Sequence, residues 1–357
     1  MTGRPRATID GLPAYRPGKD AAQAEREHGI ADAIKLASNE TPWPPVPAVA
    51  AAIAEAATGI NRYADHRASE LRAALAGHLR VDPAAVTVGP GSAGLLQQLC
   101  LTYVDAGDEV VYPWRSFEVY PVYTQLVGGV SVTVPLVDDA FDLDAVAAAV
   151  TQKTKLVFLA SPNNPTGTVL TSDDLNGFMD RIDSTTVVAI DEAYREFNDD
   201  AVGDPVRDVL PNHDNAVVLR TFSKAHGLAG LRIGYLIGDP RVVAAVDKTM
   251  MPFAVNAIAQ AAARAAIDAD EEIRDRVRFL RNERERVVAA LRAAGHTFPD
   301  PHANFVWLPI GDHTDEVALA LEQRGVVVRP FSGEGIRVTI GTERENDRFL
   351  ATLATVI

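Results

Sequence analysis

Short apolar, β-branched runs recur along the first two-thirds of the chain, separated by segments with helical spacing. The runs are VTV (86–88), DEVVYP (108–113), VSVTVP (130–135), KLVFLA (155–160), TTVVAI (185–190), NAVVLR (215–220) and RIGYLIG (232–238). Several are apolar without alternation, as expected of strands covered on both faces. Strands alternating with helices predict a doubly wound α/β fold with a mostly parallel, seven-stranded sheet. A helix is predicted at AVAAAIAEAA, after an N-terminal stretch rich in proline and polar residues. Beyond Met251 the texture changes. One long helical stretch, AVNAIAQAAARAAIDADEEIRDRVRFLRNERERVVAALRAAG, precedes the strand-like ANFVWLP, VVVRP and GIRVTI and a last helix. The expected organisation is an arm at 1–47 packing on the small domain and active site, a large domain at 48–252 and a small α+β domain at 253–357.

The polar residues that follow the strands carry the functional signal, because ligands in open α/β sheets bind beyond the strands' carboxyl ends. VTV leads into GPGSAG, KLVFLA into SPNNPTG, TTVVAI into DEAY and NAVVLR into TFSKAHGLAGLR. Successive strand ends thus present Ser92, Asn164, Asp191, Tyr194, Thr221, Ser223, Lys224 and Arg232 to one crevice. Taken singly, each motif has an ordinary reading as turn chemistry, helix start or surface charge.

GPGSAG is a literal G-x-G-x-x-G, with Gly89, Gly91 and Gly94 between a strand and a helix. A dinucleotide site would place an acid at the end of the next strand, but that strand ends in YPWRSF. Nor does hydride transfer explain the lysine, aspartate and asparagine at later strand ends. A lysine that forms a Schiff base with an aldehyde and an aspartate that keeps a pyridine nitrogen protonated are the groups pyridoxal phosphate (PLP) chemistry requires. A helix N-terminus, hydroxyls and an arginine serve its phosphate.

Composition narrows the alternatives. The net charge of −14 disfavours nucleic acid and anionic membranes as partners. No apolar run approaches the roughly 20 residues of a membrane span, and the N-terminus lacks a signal-peptide core, so a cytoplasmic location is expected. The single cysteine, Cys100, reads as a buried apolar residue. The eight histidines show no metal-ligand spacing, so no metal is expected, and no G-x-S-x-G nucleophile elbow is present.

SPNNPTG, DEAY and TFSKAHGLAGLRIGY together resemble the signature set of fold-type I, PLP-dependent aminotransferases of class I/II, within the histidinol-phosphate and aromatic aminotransferase group. The resemblance runs from SNETP, beginning at residue 38, to GIRVTIGT at 335–342. It implies that Lys224 binds the cofactor's aldehyde, Asp191 pairs with the ring nitrogen, and Asn164 and Tyr194 bond the ring oxygen. It also implies that Ser92, Ala93, Thr221, Ser223 and Arg232 hold the phosphate and that Phe117 stacks on the ring. Tyr63, in NRYADHR, would reach the phosphate in the neighbouring subunit of a homodimer. Arg337 would clamp the substrate α-carboxylate, with Tyr15 and Asn39 also at the substrate. His226 would shape the lysine's loop.

The same cofactor serves decarboxylases and lyases, but a held α-carboxylate favours transamination. A PLP-binding regulator would need a DNA-binding region for which this chain has no room. The phosphate turn reads GSAGLLQQL where histidinol-phosphate enzymes carry an acidic pair after GS. With PWRSFEVYP, this favours the phenylalanine-type branch, using 2-oxoglutarate as acceptor and phenylalanine, tyrosine or tryptophan as donors. Histidinol phosphate is the alternative substrate.

Overall fold

The computed structural model describes residues 3–12 and 18–357. All the predicted large-sheet strands form: β1 (Val86–Gly89), β2 (Glu109–Trp114), β3 (Val130–Pro135), β4 (Thr154–Ala160), β5 (Val187–Asp191), β6 (Ala216–Thr221) and β7 (Gly234–Gly238). They make one seven-stranded sheet in the order β1-β7-β6-β5-β4-β2-β3. Strand β7 runs antiparallel to both its neighbours, and the other pairs are parallel.

The unbroken apolar runs are explained by cover on both faces. Leu156, Phe158 and Ala160 of β4 enter one core cluster, while Val157 and Leu159 enter the other. Ala189 and Ile190 of β5 divide the same way, as do Val217 and Val218 of β6. Alternate side chains on a strand face opposite sides, so a strand between two helical layers has no polar face. Strand β3, at the edge, is largely exposed, and its VSVTVP sequence alternates accordingly.

A second, three-stranded antiparallel sheet follows, from β8 (Phe305–Leu308), β9 (Arg329–Phe331) and β10 (Gly335–Thr339), in the order β9-β10-β8. The N-terminal segment joins this lobe: Ile34–Lys35 pairs in parallel with Val326–Val327. Leu36 then bridges the two small-lobe strand systems, donating to the Val327 carbonyl (2.7 Å) and accepting from the Thr339 amide (2.9 Å).

One expectation changes. The stretch after Met251 is two helices, Ala257–Asp268 and Asp270–Ala293, parted at Ala269. The acids Asp270, Glu271 and Glu272 fill the first turn of the second helix, where they meet the positive end of its dipole. That local preference makes a fresh helix start where an apolar stripe alone predicts continuity. The first helix lays Ala259, Ala262, Ala263 and Ala266 inward and packs on Pro47–Ala57 and Ser69–Leu79. Among the described residues no helix is long and apolar enough to cross a membrane.

Candidate active site

The carboxyl ends of β1, β4, β5 and β6 open into one pocket, closed from the other side by residues 37–39 and by β9 and β10. Its lining includes Asn39, Ser92, Ala93, Phe117, Asn164, Asp191, Tyr194, Thr221, Ser223, Lys224, Arg232 and Arg337. These are all of the sequence-predicted site residues except two. Tyr63 is 85% exposed and stacks on Phe253 with ring centroids 4.5 Å apart, away from this chain's own pocket. Tyr15 lies outside the described residues, although Gly18 lines the pocket.

One end of the pocket is built for an anion. Strand β1 passes through Pro90 into the helix Gly91–Tyr103, whose first amide groups have no intrahelical acceptor. Gly91 has φ +78°, and a Cβ there would stand 2.5 Å from Arg232 Nη2. Gly234 has the same role across the sheet, since its Cβ would stand 2.5 Å from the Ser92 amide nitrogen. Both glycines therefore let a guanidinium and a helix N-terminus converge. The Thr221 hydroxyl donates to Ser223 Oγ (3.0 Å) and accepts from the Ser223 amide (3.1 Å). Helix N-terminus, hydroxyls and arginine together are the donors that could hold a phosphate.

At the other end of the same floor, Asp191 closes β5 and is buried. Tyr120 donates to Asp191 Oδ2 (3.0 Å), and Oδ1 has no partner. Burial pushes the carboxyl up to about 6, opposed by the Tyr120 hydrogen bond. An unpartnered buried carboxylate oxygen is costly and fits a cationic ring N–H. Tyr120 escaped the sequence reading. It lies one helical turn beyond Phe117 in RSFEVYP and makes edge-to-face contact with it at 5.8 Å.

Lys224 follows β6. Its ammonium is drawn down to about 7, first by desolvation and next by the nearby Arg337 charge. Its Nζ donates to the Ser38 carbonyl (3.0 Å) and sits 5.6 Å from the centre of the Tyr194 ring. Behind it, His226 packs on Phe222 at 4.7 Å, and burial lowers its pKa to about 4. A neutral imidazole packed in this way is a wall of the lysine's loop.

Arg337, buried on β10, donates to Asn164 Oδ1 (2.5 Å) and to the Ala37 carbonyl (2.7 Å). Asn39 is fully buried with φ +54°. It donates to Tyr194 Oη (2.9 Å), while Thr339 and Asn304 hold its amide oxygen and its carbonyl. The N-terminal segment and the small lobe thereby position the Tyr194 hydroxyl, which the sequence read as a feature of β5 alone. Glu118 and Arg329 also line the pocket and were not anticipated. Arg329 announces itself only in retrospect, as the residue paired with Arg337 across β9 and β10.

An amine held near neutrality, a buried acid with an open oxygen and a phosphate cradle in one pocket meet the demands of an aldehyde-bearing pyridine phosphate. Residues 31–353 match the family model for aminotransferase class I and II. The chain belongs to the class I and II aminotransferases. A Thermobifida fusca protein named aromatic amino acid aminotransferase is 50% identical over 351 residues, 98% of this chain and 96% of its own. A Mycobacterium tuberculosis protein of the same name is 48% identical over 98% of this chain and 97% of its own. Among solved structures, histidinol-phosphate aminotransferase from Sinorhizobium meliloti in complex with pyridoxal-5'-phosphate superposes with a TM-score of 0.91 at 32% identity. That match covers 100% of this chain and 98% of that one. The seven-stranded α/β architecture is that of the fold-type I enzymes. A Thermus thermophilus aspartate aminotransferase shares it with a TM-score of 0.84 at 26% identity over the whole of both chains.

Proposed function

We propose that this protein is a PLP-dependent aminotransferase that moves the amino group of phenylalanine, tyrosine or tryptophan to 2-oxoglutarate. The observation that carries the reading is the convergence of Lys224, Asp191 and Arg337 on one pocket. The names of relatives near 50% identity support the aromatic donor. When bound, PLP supplies an aldehyde that carries the amino group and a ring that accepts electron density from the substrate Cα.

The chain's own residues do the rest. Lys224 Nζ would hold the aldehyde and, once freed for the substrate amine, would take the proton from the substrate Cα. Its lowered pKa keeps much of that amine neutral near pH 7. Asp191, with its unpartnered Oδ1, would hold a proton at the ring nitrogen. Asn164, whose oxygen accepts from Arg337, would donate through its amide N–H group to the ring oxygen, together with the Tyr194 hydroxyl. Ser92, the Ala93 amide, Thr221, Ser223 and Arg232 would hold the phosphate, and Phe117 would stack on the ring. Arg337 would grip the α-carboxylate with a planar fork suited to it, and Asn39 and, as the resemblance implies, Tyr15 would serve the substrate. Donor and acceptor use one site in turn, which gives ping-pong kinetics.

The proposal includes a homodimer, in which the exposed Tyr63 reaches the neighbouring subunit's phosphate, a cytoplasmic location, and the division into arm (1–47), large domain (48–252) and small domain (253–357). Histidinol phosphate is the second reading, favoured by the Sinorhizobium neighbour and by Arg329 as a further cation in the pocket. Steady-state turnover of phenylalanine and of histidinol phosphate, each with 2-oxoglutarate, tests the assignment. A kcat/KM for phenylalanine at least about tenfold higher supports it. The reverse order refutes the aromatic assignment.

A further inference from the structure

Arg329 and Arg337 are directly opposed across the antiparallel strands β9 and β10, so both side chains leave the same face of the small-lobe sheet. Both line the pocket. Both also sit over the ring of Phe331, at 5.7 Å and 5.9 Å from its centre. Like charges directly opposite one another on a sheet face repel. The structure places a counter-charge on the outer member of the pair. Glu118, at the start of the helix Val119–Val127 in the large lobe, accepts from Arg329 Nη2 through Oε2 at 2.8 Å.

The two arginines therefore meet a ligand differently. Arg337 is presented through Asn164 Oδ1 and the Ala37 carbonyl, both neutral acceptors. Arg329 is presented already matched to a carboxylate. A neutral apolar side chain extending from an α-carboxylate on Arg337 meets an ion pair with little net field. An anionic side chain must compete with Glu118 for the guanidinium. The pair can open, because the Glu118 side chain is 36% exposed and has water to turn into, whereas Arg329 is 13% exposed and stays.

Resting on the aromatic aminotransferase reading, we propose that Glu118 is a specificity-determining residue that masks Arg329. Masked, the pocket takes a neutral aromatic side chain. Unmasked by rotation of Glu118, the same pocket takes the second carboxylate of the acceptor. One site thereby serves two side chains of opposite character, and a standing preference for anionic side chains, carboxylate or phosphate, is suppressed.

The test uses PLP-loaded protein and three ligands without an amino group, so that binding is read by calorimetry and no turnover is needed. These are 3-phenylpropanoate, glutarate and 4-phosphonobutanoate, each with one carboxylate for Arg337. Glu118→Gln is expected to tighten glutarate relative to 3-phenylpropanoate by about tenfold, and Glu118→Asp by much less. In an Arg329→Gln background the effect of Glu118→Gln is expected to vanish, as coupling through one partner requires. The 4-phosphonobutanoate arm shows whether the unmasked cation favours phosphate or carboxylate. A glutarate-to-phenylpropanoate ratio within twofold of the parent in Glu118→Gln overturns the proposal. So does an effect that persists without Arg329. If the parent protein prefers histidinol phosphate to phenylalanine in turnover, the aromatic reading fails, and the Glu118–Arg329 coupling is still decided separately by the binding cycle.

Discussion

Tyr120 donates its hydroxyl to Asp191 Oδ2 at 3.0 Å, leaving Oδ1 buried and unpartnered in a residue that lines the pocket. One carboxylate oxygen is thus fixed by the protein and the other kept for a ligand. The hydroxyl opposes the upward shift that burial imposes on Asp191. Tyr120→Phe removes the larger part of that opposition, the Ala193 backbone N–H supplying the rest, so the acid limb of the kcat/KM–pH profile moves upward and activity at pH 7 falls by about tenfold, the worth of one hydrogen bond to a charged group. Asp191→Asn removes the carboxylate itself, and kcat falls by at least about 10²-fold. Initial rates from pH 5 to 9 measure both. Parent-like rates in Asp191→Asn contradict the assigned role.

Arg337 offers a fork and Lys224 a point charge, and the two are not interchangeable. Arg337→Lys keeps the charge but loses bidentate geometry. The expected result is a kcat/KM for phenylalanine lower by about 10²-fold, with PLP still bound. An equal loss for phenylethylamine, which has no carboxylate, would show that Arg337 acts on something else.

Gly91 is where backbone conformation and ligand cradle meet. A methyl group there collides with Arg232 Nη2 at a positive φ. Gly91→Ala therefore displaces the guanidinium, and PLP affinity falls by about tenfold or more. Fluorescence titration of the cofactor-free protein reads this directly.

Lys224 carries a stability signature opposite in sign to that of Asp191. Its folded pKa of about 7 lies below its ordinary 10.5, so between those values the unfolded chain binds more protons and stability rises with pH. Asp191, raised from 3.8 to about 6, binds more protons when folded, and its contribution falls as pH rises through that window. In the cofactor-free protein, Lys224→Met should raise Tm most at pH 7 and below, with the gain shrinking toward pH 10. A gain independent of pH would contradict a buried, desolvated ammonium.

Much of this site was legible in the sequence because its residues sit where strands end. Unbroken runs such as KLVFLA and TTVVAI marked β4 and β5, and turn chemistry in SPNNPTG and GPGSAG marked the loops beyond them. Contacts between lobes were not legible. Glu118 and Arg329 are 211 positions apart, and nothing in PWRSFEVYP or VVVRP shows that the two meet. Asn39 was placed at the substrate by the resemblance, but its hydrogen bonds to Thr339 and Asn304, some 265 to 300 positions away, leave no local trace. Tyr120 stood unremarked in PWRSFEVYP, since a hydroxyl bonded to a distant strand leaves no periodic trace. The break at Ala269 was missed because apolar spacing outweighed the acidic turn after it.

The central claim is that Lys224, Asp191 and Arg337 transfer an amino group from an aromatic amino acid. The most direct measurement is a single half-reaction, with PLP-loaded protein mixed with phenylalanine in one cell and histidinol phosphate in another. Absorbance follows conversion of the cofactor from its aldehyde to its amine form. The account predicts rapid, complete conversion with phenylalanine and none in Lys224→Ala. Conversion with histidinol phosphate alone would contradict it.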